Sequence, residues 1–136
     1  THGLVACAIA AGLDVGVDVE GVDRVVTDGV AERFFSAREN ASLLACPAGP
    51  ARSARFFELW TLKESYVKAL GKGLSHPLDT IAFDVGPDST VAFRPPPGVD
   101  ETRWHFALFA PTERHRLAVA ARRDAVPVSV KLIAGE

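Results

Sequence analysis

Two groups of residues in this 136-residue chain have the types and spacing to do chemistry on a phosphate. The first is Asp18-x-Glu20, two carboxylates two positions apart. Side chains alternate along a strand, so both stand on one face and converge on a point above it. Like charges that close repel unless a cation lies between them. Hard carboxylate oxygens suit Mg²⁺, which takes one or two carboxylates together with water and phosphate oxygens. Mn²⁺ accepts the same shell. The plain alternative is the solvated polar face of an antiparallel sheet. The second group is Trp60-Thr-Leu-Lys63-Glu64-Ser-Tyr-Val-Lys68. Spacing of i, i+4 and i+8 places Trp60, Glu64 and Lys68 along one side of a helix, with Lys63 beside them. A carboxylate there completes a metal shell, while an ammonium neutralises phosphate oxygens and can protonate a leaving group. Taken alone, Glu64 and Lys68 also describe a surface pair worth about 0.3 kcal/mol, and Trp60 a core residue. The sequence holds no visible Cys/His or Ser/His/Asp arrangement for covalent catalysis.

The elements that must position these groups follow from hydrophobic patterning. Residues 4–11 are apolar and small and read as a buried strand. After Gly12, residues 13–20 alternate as a second strand, with Val15, Val17 and Val19 on one face and Asp14, Gly16, Asp18 and Glu20 on the other. So short a turn predicts antiparallel pairing of the two. Asp28 can cap a short helix ending near Phe35, and Ser36 with Glu39 forms a capping box for the next. The stretch 46–51 is a loop. A longer helix is predicted from about Ser53 to Leu70, with Phe56, Leu59, Leu62, Tyr66 and Leu70 as its apolar stripe. Gly71 and Gly73 terminate it. The remainder reads as strands at 80–85, 89–94, 104–110, 116–121 and 128–133, with Gly86-Pro87-Asp88 as a hairpin turn and 95–98 as an exposed turn. Strands, then helices, then strands predict one α+β domain.

Bulk composition excludes several classes. Hydrophobic residues at 48% and charged residues at 24% describe a globular domain and not a disordered tail. A net charge of −2 offers no attraction to nucleic acid or to an anionic membrane. The longest apolar run, 4–11, is far short of the roughly 20 residues that span a bilayer. Cys7 and Cys46 stand in no metal-type spacing and read as reduced thiols of a cytoplasmic protein. With no methionine and Thr1 as its first residue, the chain reads as processed or as part of something longer.

Together the two groups resemble the paired signature of the 4′-phosphopantetheinyl transferases. Gly16-Val-Asp18-Val-Glu20 is followed after about forty residues by Trp60-Thr-Leu-Lys63-Glu64-Ser-Tyr-Val-Lys68-Ala-Leu-Gly-Lys-Gly-Leu. Details resemble the surfactin-synthetase-activating (Sfp) type: Thr1-His2 before the first strand, Arg33-Phe-Phe-Ser36 with Glu39, and Ser75-His-Pro-Leu78 after the glycines. The resemblance covers Thr1 to about Asp84 and matches the C-terminal half of that type. It implies an antiparallel sheet packed on a long helix, one half of a pseudo-twofold enzyme. The implied reaction moves 4′-phosphopantetheine from coenzyme A to a serine of an acyl or peptidyl carrier protein and releases adenosine 3′,5′-bisphosphate. Asp18, Glu20 and Glu64 match the magnesium ligands, and Glu64 also the base for the carrier serine. Lys68 matches the lysine at the coenzyme pyrophosphate. Thr1 and His2 match phosphate contacts, and Lys63 is expected to join them on the coenzyme. The family docks its carrier on the segment after Asp18-x-Glu20, here about 22–35, although Phe34 and Phe35 suit a helix core equally.

Sfp-type enzymes are nearly twice this length, so the resemblance implies a missing companion. It is expected to be the N-terminal half of the same enzyme, the rest of a larger synthase, or further copies, as in the trimeric holo-acyl-carrier-protein synthases. Residues 4–11 and part of 53–70 are then expected to rest on another protein surface. A non-catalytic module that binds carrier or coenzyme A, and a structural metal-binding module, are the alternatives. The second leaves His2 and the lysines beside Glu64 without a purpose.

Overall fold

The chain runs β1 (Asp14–Gly21), α1 (Val30–Phe34), α2 (Ala37–Ala45), α3 (Pro50–Leu70), β2 (Ala82–Val85), β3 (Val91–Arg94), β4 (Trp104–Phe109) and β5 (His115–Arg122). This is the arrangement in a computed structural model that describes residues 1, 3–71, 73, 76–123 and 128–135. The strands form an antiparallel three-stranded sheet of order β1-β5-β4 and a separate β2-β3 hairpin. One face of the larger sheet packs on α3, giving the α+β architecture that the sequence predicts.

The long helix is set by local signals. Pro50 occupies its first turn, where a missing N–H is harmless, so it begins three residues before the predicted Ser53. Gly71 closes it with φ at 69°, a left-handed conformation that suits a residue without Cβ. Phe56, Leu59, Leu62 and Tyr66 are all buried and meet Phe83, Trp104, Leu108, Ala118 and Ala120 in one core. The Ser36–Glu39 capping box forms as expected. Asp28 does not cap α1; Gly29 stands at that position with φ at 85° and no side-chain cap.

Strand β1 approaches α3 unusually closely. A Cβ on Gly16 would collide with the Ser65 carbonyl oxygen and lie 2.5 Å from the Ala69 nitrogen. Small residues opposite it, Ala118 paired with Asp18 and Ala120 paired with Gly16, complete the shallow seat for the helix. The polar side of β1 therefore faces the helix, while Val15, Val17 and Val19 stand half-buried on the outer face.

Two expected strands are absent. Residues 4–10 pair with nothing; their side chains alternate between half-buried and exposed, and Val5 and Ile9 are more than 90% exposed. Among the described residues β1 pairs with β5 alone, so the segment has no strand to join. Residues 128–133 are likewise irregular, with Ile133 exposed. Among the described residues no helix is long and apolar enough to cross a membrane.

Candidate active site

Strand β1 carries Asp18 and Glu20 on the face that α3 covers, and α3 brings Glu64 and Lys68 to them one turn apart. The Lys68 ammonium donates to Asp18 Oδ1 at 2.8 Å. Asp18 is 7% exposed, whereas the Lys68 side chain is half exposed. Burial pushes the Asp18 carboxyl above the ordinary carboxylate range, opposed by Lys68 and reinforced by the charge on Glu20. Burial also raises Glu64, helped by Asp18 and then Glu20, with Lys68 again opposing. The charge on Glu20 thus acts on both buried carboxyls and that on Asp18 acts on Glu64, with one ammonium among them.

Two oxygens of this cluster, Asp18 Oδ2 and Glu64 Oε1, are buried and accept no hydrogen bond. Buried polar atoms normally have a partner, so an orphaned pair points to a missing cation or water. The chain's own cations hold other oxygens of the set, Lys68 on Asp18 and Arg24 on Glu20. Among the described residues no group of three or more His, Cys, Asp or Glu side chains is drawn into a ready metal shell. The donor chemistry nonetheless fits a hard divalent cation: carboxylate oxygens only, two of them unsatisfied, and two counter-ions that an incoming metal can displace.

Thr1 sits at the far end of β1, its hydroxyl accepting from the Gly21 amide at 3.2 Å, next to Glu20. His2 and Ser75 lie outside the described residues. Trp60 is half-buried, stacked on Phe56 and edge-on to Phe34. Phe35, 2% exposed, belongs to the core. The exposed remainder of 22–35 includes Arg24 and Val25.

Lys63 is not part of this cluster. It is fully buried, ion-paired to Glu39 at 2.7 Å, and donates to the carbonyls of Leu78 and Ile81. With no exposed surface it has nothing to offer a coenzyme, and the expectation that it contacts one is corrected. Burial lowers its pKa, with Glu39 opposing. Glu39 also accepts from the amides of Ser36 and Phe83, so the one carboxylate joins α2, α3 and β2.

Three contributions escaped the sequence reading. Arg24 pairs with Glu20 although Glu20 lies in a strand, so the helical i, i+4 rule gives no warning of it. Glu39 was legible as a cap, but its pairing with Lys63 was not. Gly16 did carry a signal, since a glycine inside a strand often marks close backbone approach.

A family model described as the 4′-phosphopantetheinyl transferase superfamily matches residues 14–120. The chain is 33% identical to the 4′-phosphopantetheinyl transferase ffp of Bacillus subtilis over 126 residues, covering 90% of this chain and 53% of that protein. It is 32% identical to the 4′-phosphopantetheinyl transferase psf-1 of Bacillus pumilus, over 90% of this chain and 51% of that one. The chain spans about half the length of these curated relatives. Among solved structures, the holo-[acyl-carrier-protein] synthase of Thermotoga maritima aligns with a TM-score of 0.63 and 25% identity, covering 81% of this chain and 62% of that one. The holo-(acyl-carrier-protein) synthase of Bacillus anthracis, solved in complex with CoA (3′,5′-ADP), aligns with a TM-score of 0.68 over 82% of this chain and 96% of that one. Its 16% identity supports the shared fold.

Proposed function

The chain belongs to the 4′-phosphopantetheinyl transferase superfamily, and from that premise we propose that it moves the 4′-phosphopantetheine group of coenzyme A onto a serine of an acyl or peptidyl carrier protein. The observation that carries this reading is the meeting of Glu64 and Lys68 with Asp18 and Glu20 around two buried, unpartnered carboxylate oxygens.

The serine oxygen attacks the phosphorus that bears the pantetheine arm. A new O–P bond forms as the pyrophosphate P–O bond breaks, and the electron pair leaves with adenosine 3′,5′-bisphosphate. The serine proton passes to Glu64, whose raised pKa makes it a stronger base than an ordinary carboxylate. Lys68 neutralises the charge that accumulates on the leaving phosphate. Asp18, Glu20 and Glu64 would hold Mg²⁺ or Mn²⁺, which supplies further neutralisation of the phosphate oxygens when bound. Thr1, fixed at the end of β1, and His2 contact the coenzyme's phosphates. The carrier docks on the exposed part of 22–35.

Residues 1–136 form one domain of this activity, and the N-terminal half of the same enzyme or another subunit completes the site. The half-length match to the curated relatives supports that division. So do Val5 and Ile9, exposed on an extended segment that has no strand partner among the described residues. Of the two segments expected to rest on another surface, 4–11 exposes Val5 and Ile9, while the exposed large apolar side chains include none from α3 among the described residues. A cytoplasmic location fits the coenzyme substrate and the two free cysteines.

The test is mass spectrometry of an apo carrier protein incubated with the chain, coenzyme A and Mg²⁺. A gain of one phosphopantetheine that vanishes with chelator supports the reading. Failure both alone and with the N-terminal half of a relative added would sink it.

A further inference from the structure

Glu20 stands directly opposite Arg116 in the pairing of β1 with β5, and alternation puts both side chains on the sheet face that α3 covers. Opposed residues of an antiparallel pair hold their Cβ atoms about 5 Å apart, within pairing range for a glutamate and an arginine. Arg116 is drawn to the helix instead. Its Nε lies 3.5 Å from Glu58 Oε1, and its Nη1 donates to the His115 carbonyl at 2.9 Å. We propose that Glu58 is a positioning residue of the transfer site: by holding Arg116 it keeps Glu20 clear of a shielded counter-charge and open to a divalent cation. The inference rests on the transferase reading and adds to the site a residue that the two motifs leave out.

Glu58 is steadied from its other side. The Arg55 Nε stands 3.3 Å from Glu58 Oε2, and the Arg55 Nη1 donates to the Val85 carbonyl at 2.7 Å. The glutamate thus gives one oxygen to each arginine, and the second arginine ties it to β2. Glu58 and Glu64 share α3, so the helix that brings one carboxylate to Asp18 also carries the group that clears Glu20.

Burial decides which counter-charge matters. Glu20 already has Arg24, but that side chain is 58% exposed, and solvent weakens such a pair enough for an incoming metal to displace it. The Arg116 side chain is only 18% exposed and that of Glu20 15%. A pair between these two would be shielded from water, and separating it would strand a charge. A cation would then compete with a guanidinium fixed across the strand, not with one that swings into solvent. Glu58 removes that competitor.

Mn²⁺ binding to the full chain without coenzyme, followed by electron paramagnetic resonance, tests this in a double-variant cycle. Glu58→Gln should weaken Mn²⁺ binding about tenfold, because Arg116 turns to Glu20. Arg116→Gln should bind Mn²⁺ no more weakly than the unmodified chain. Adding Glu58→Gln to Arg116→Gln should then change the affinity by less than about twofold. Loss of a nearby negative charge, or a displaced α3, would weaken binding with or without Arg116. Additive effects therefore overturn the proposal, as does an unchanged affinity in Glu58→Gln, and both leave the transferase reading standing. If melting curves show that Glu58→Gln does not fold, Arg116→Gln alone carries the test: weaker Mn²⁺ binding in it overturns the proposal. Failure of the unmodified chain to bind Mn²⁺ takes down this assignment and the carboxylate cation site together.

Discussion

Lys63 and Glu64 are adjacent in sequence and serve different parts of the molecule: the ammonium of one is sealed in the core on Glu39, the carboxylate of the other stands beside Asp18. The 100° step between neighbouring residues of a helix separates an internal fastening from the edge that meets Asp18. α3 is thus pinned through Lys63 one residue away from Glu64, and the hold on Leu78 and Ile81 fixes the segment entering β2 at the same time.

Breaking that fastening is expected to be expensive. Lys63→Ala leaves Glu39 charged and buried without its partner, a loss of about 3–5 kcal/mol. Replacing both residues, Lys63→Met with Glu39→Gln, should cost less than the single change, because no uncompensated charge remains. Urea unfolding of the three proteins checks this, and a double variant less stable than Lys63→Ala would contradict it.

Removal of the proposed base should separate chemistry from folding. Glu64→Gln is expected to lower kcat for carrier modification by at least about 10², with coenzyme A binding retained. Lys68→Ala should lower it by about 10²–10³. Single-turnover assays with parallel melting curves distinguish these losses from unfolding.

The cation response should depend on pH in a defined direction. Asp18 and Glu64 have pKa values raised by folding, chiefly through burial. Their ionisation is harder in the folded chain than in the unfolded one, so they destabilise the fold as pH climbs through the ordinary carboxylate range near about 4. That penalty is complete once pH exceeds their raised folded values. A divalent cation binds the ionised pair and offsets it. The rise in Tm on adding Mg²⁺ should be close to nil near pH 4 and largest near pH 7. A shift independent of pH would exclude these two carboxylates as the ligands.

Gly16→Ala should disturb the site without touching any charged group. The added Cβ must push α3 away from β1, at a cost of about 1–3 kcal/mol for overpacking. The Lys68–Asp18 contact at 2.8 Å is expected to lengthen with it. Chemical denaturation reads the stability, and loss of Mn²⁺ affinity reads the spacing.

Much of this frame was legible because local rules dominate it. The stripe from Phe56 to Tyr66, the Gly71 terminus and the Ser36–Glu39 box need only neighbours in sequence to be recognised. The reading failed where the deciding partner is distant. Residues 4–10 are apolar, yet apolarity does not say which surface receives them, and among the described residues β1 pairs with β5 alone. Lys63 and Glu64 differ by one helical step, and only the placement of Glu39 and Asp18 tells which of the two turns inward. Asp18 and Glu64 were singled out because their two motifs together resemble a family signature, whereas Arg24 belongs to no motif.

The bare backbone of Gly16 against the turn at Ser65–Ala69 also acts as a gauge block. The gap between the strand that bears Asp18 and the helix that bears Glu64 is fixed by main-chain atoms in contact, and main-chain atoms do not drift when side chains are exchanged. Surface sequence around the cluster can therefore diverge freely without recalibrating the distance between these two carboxylates.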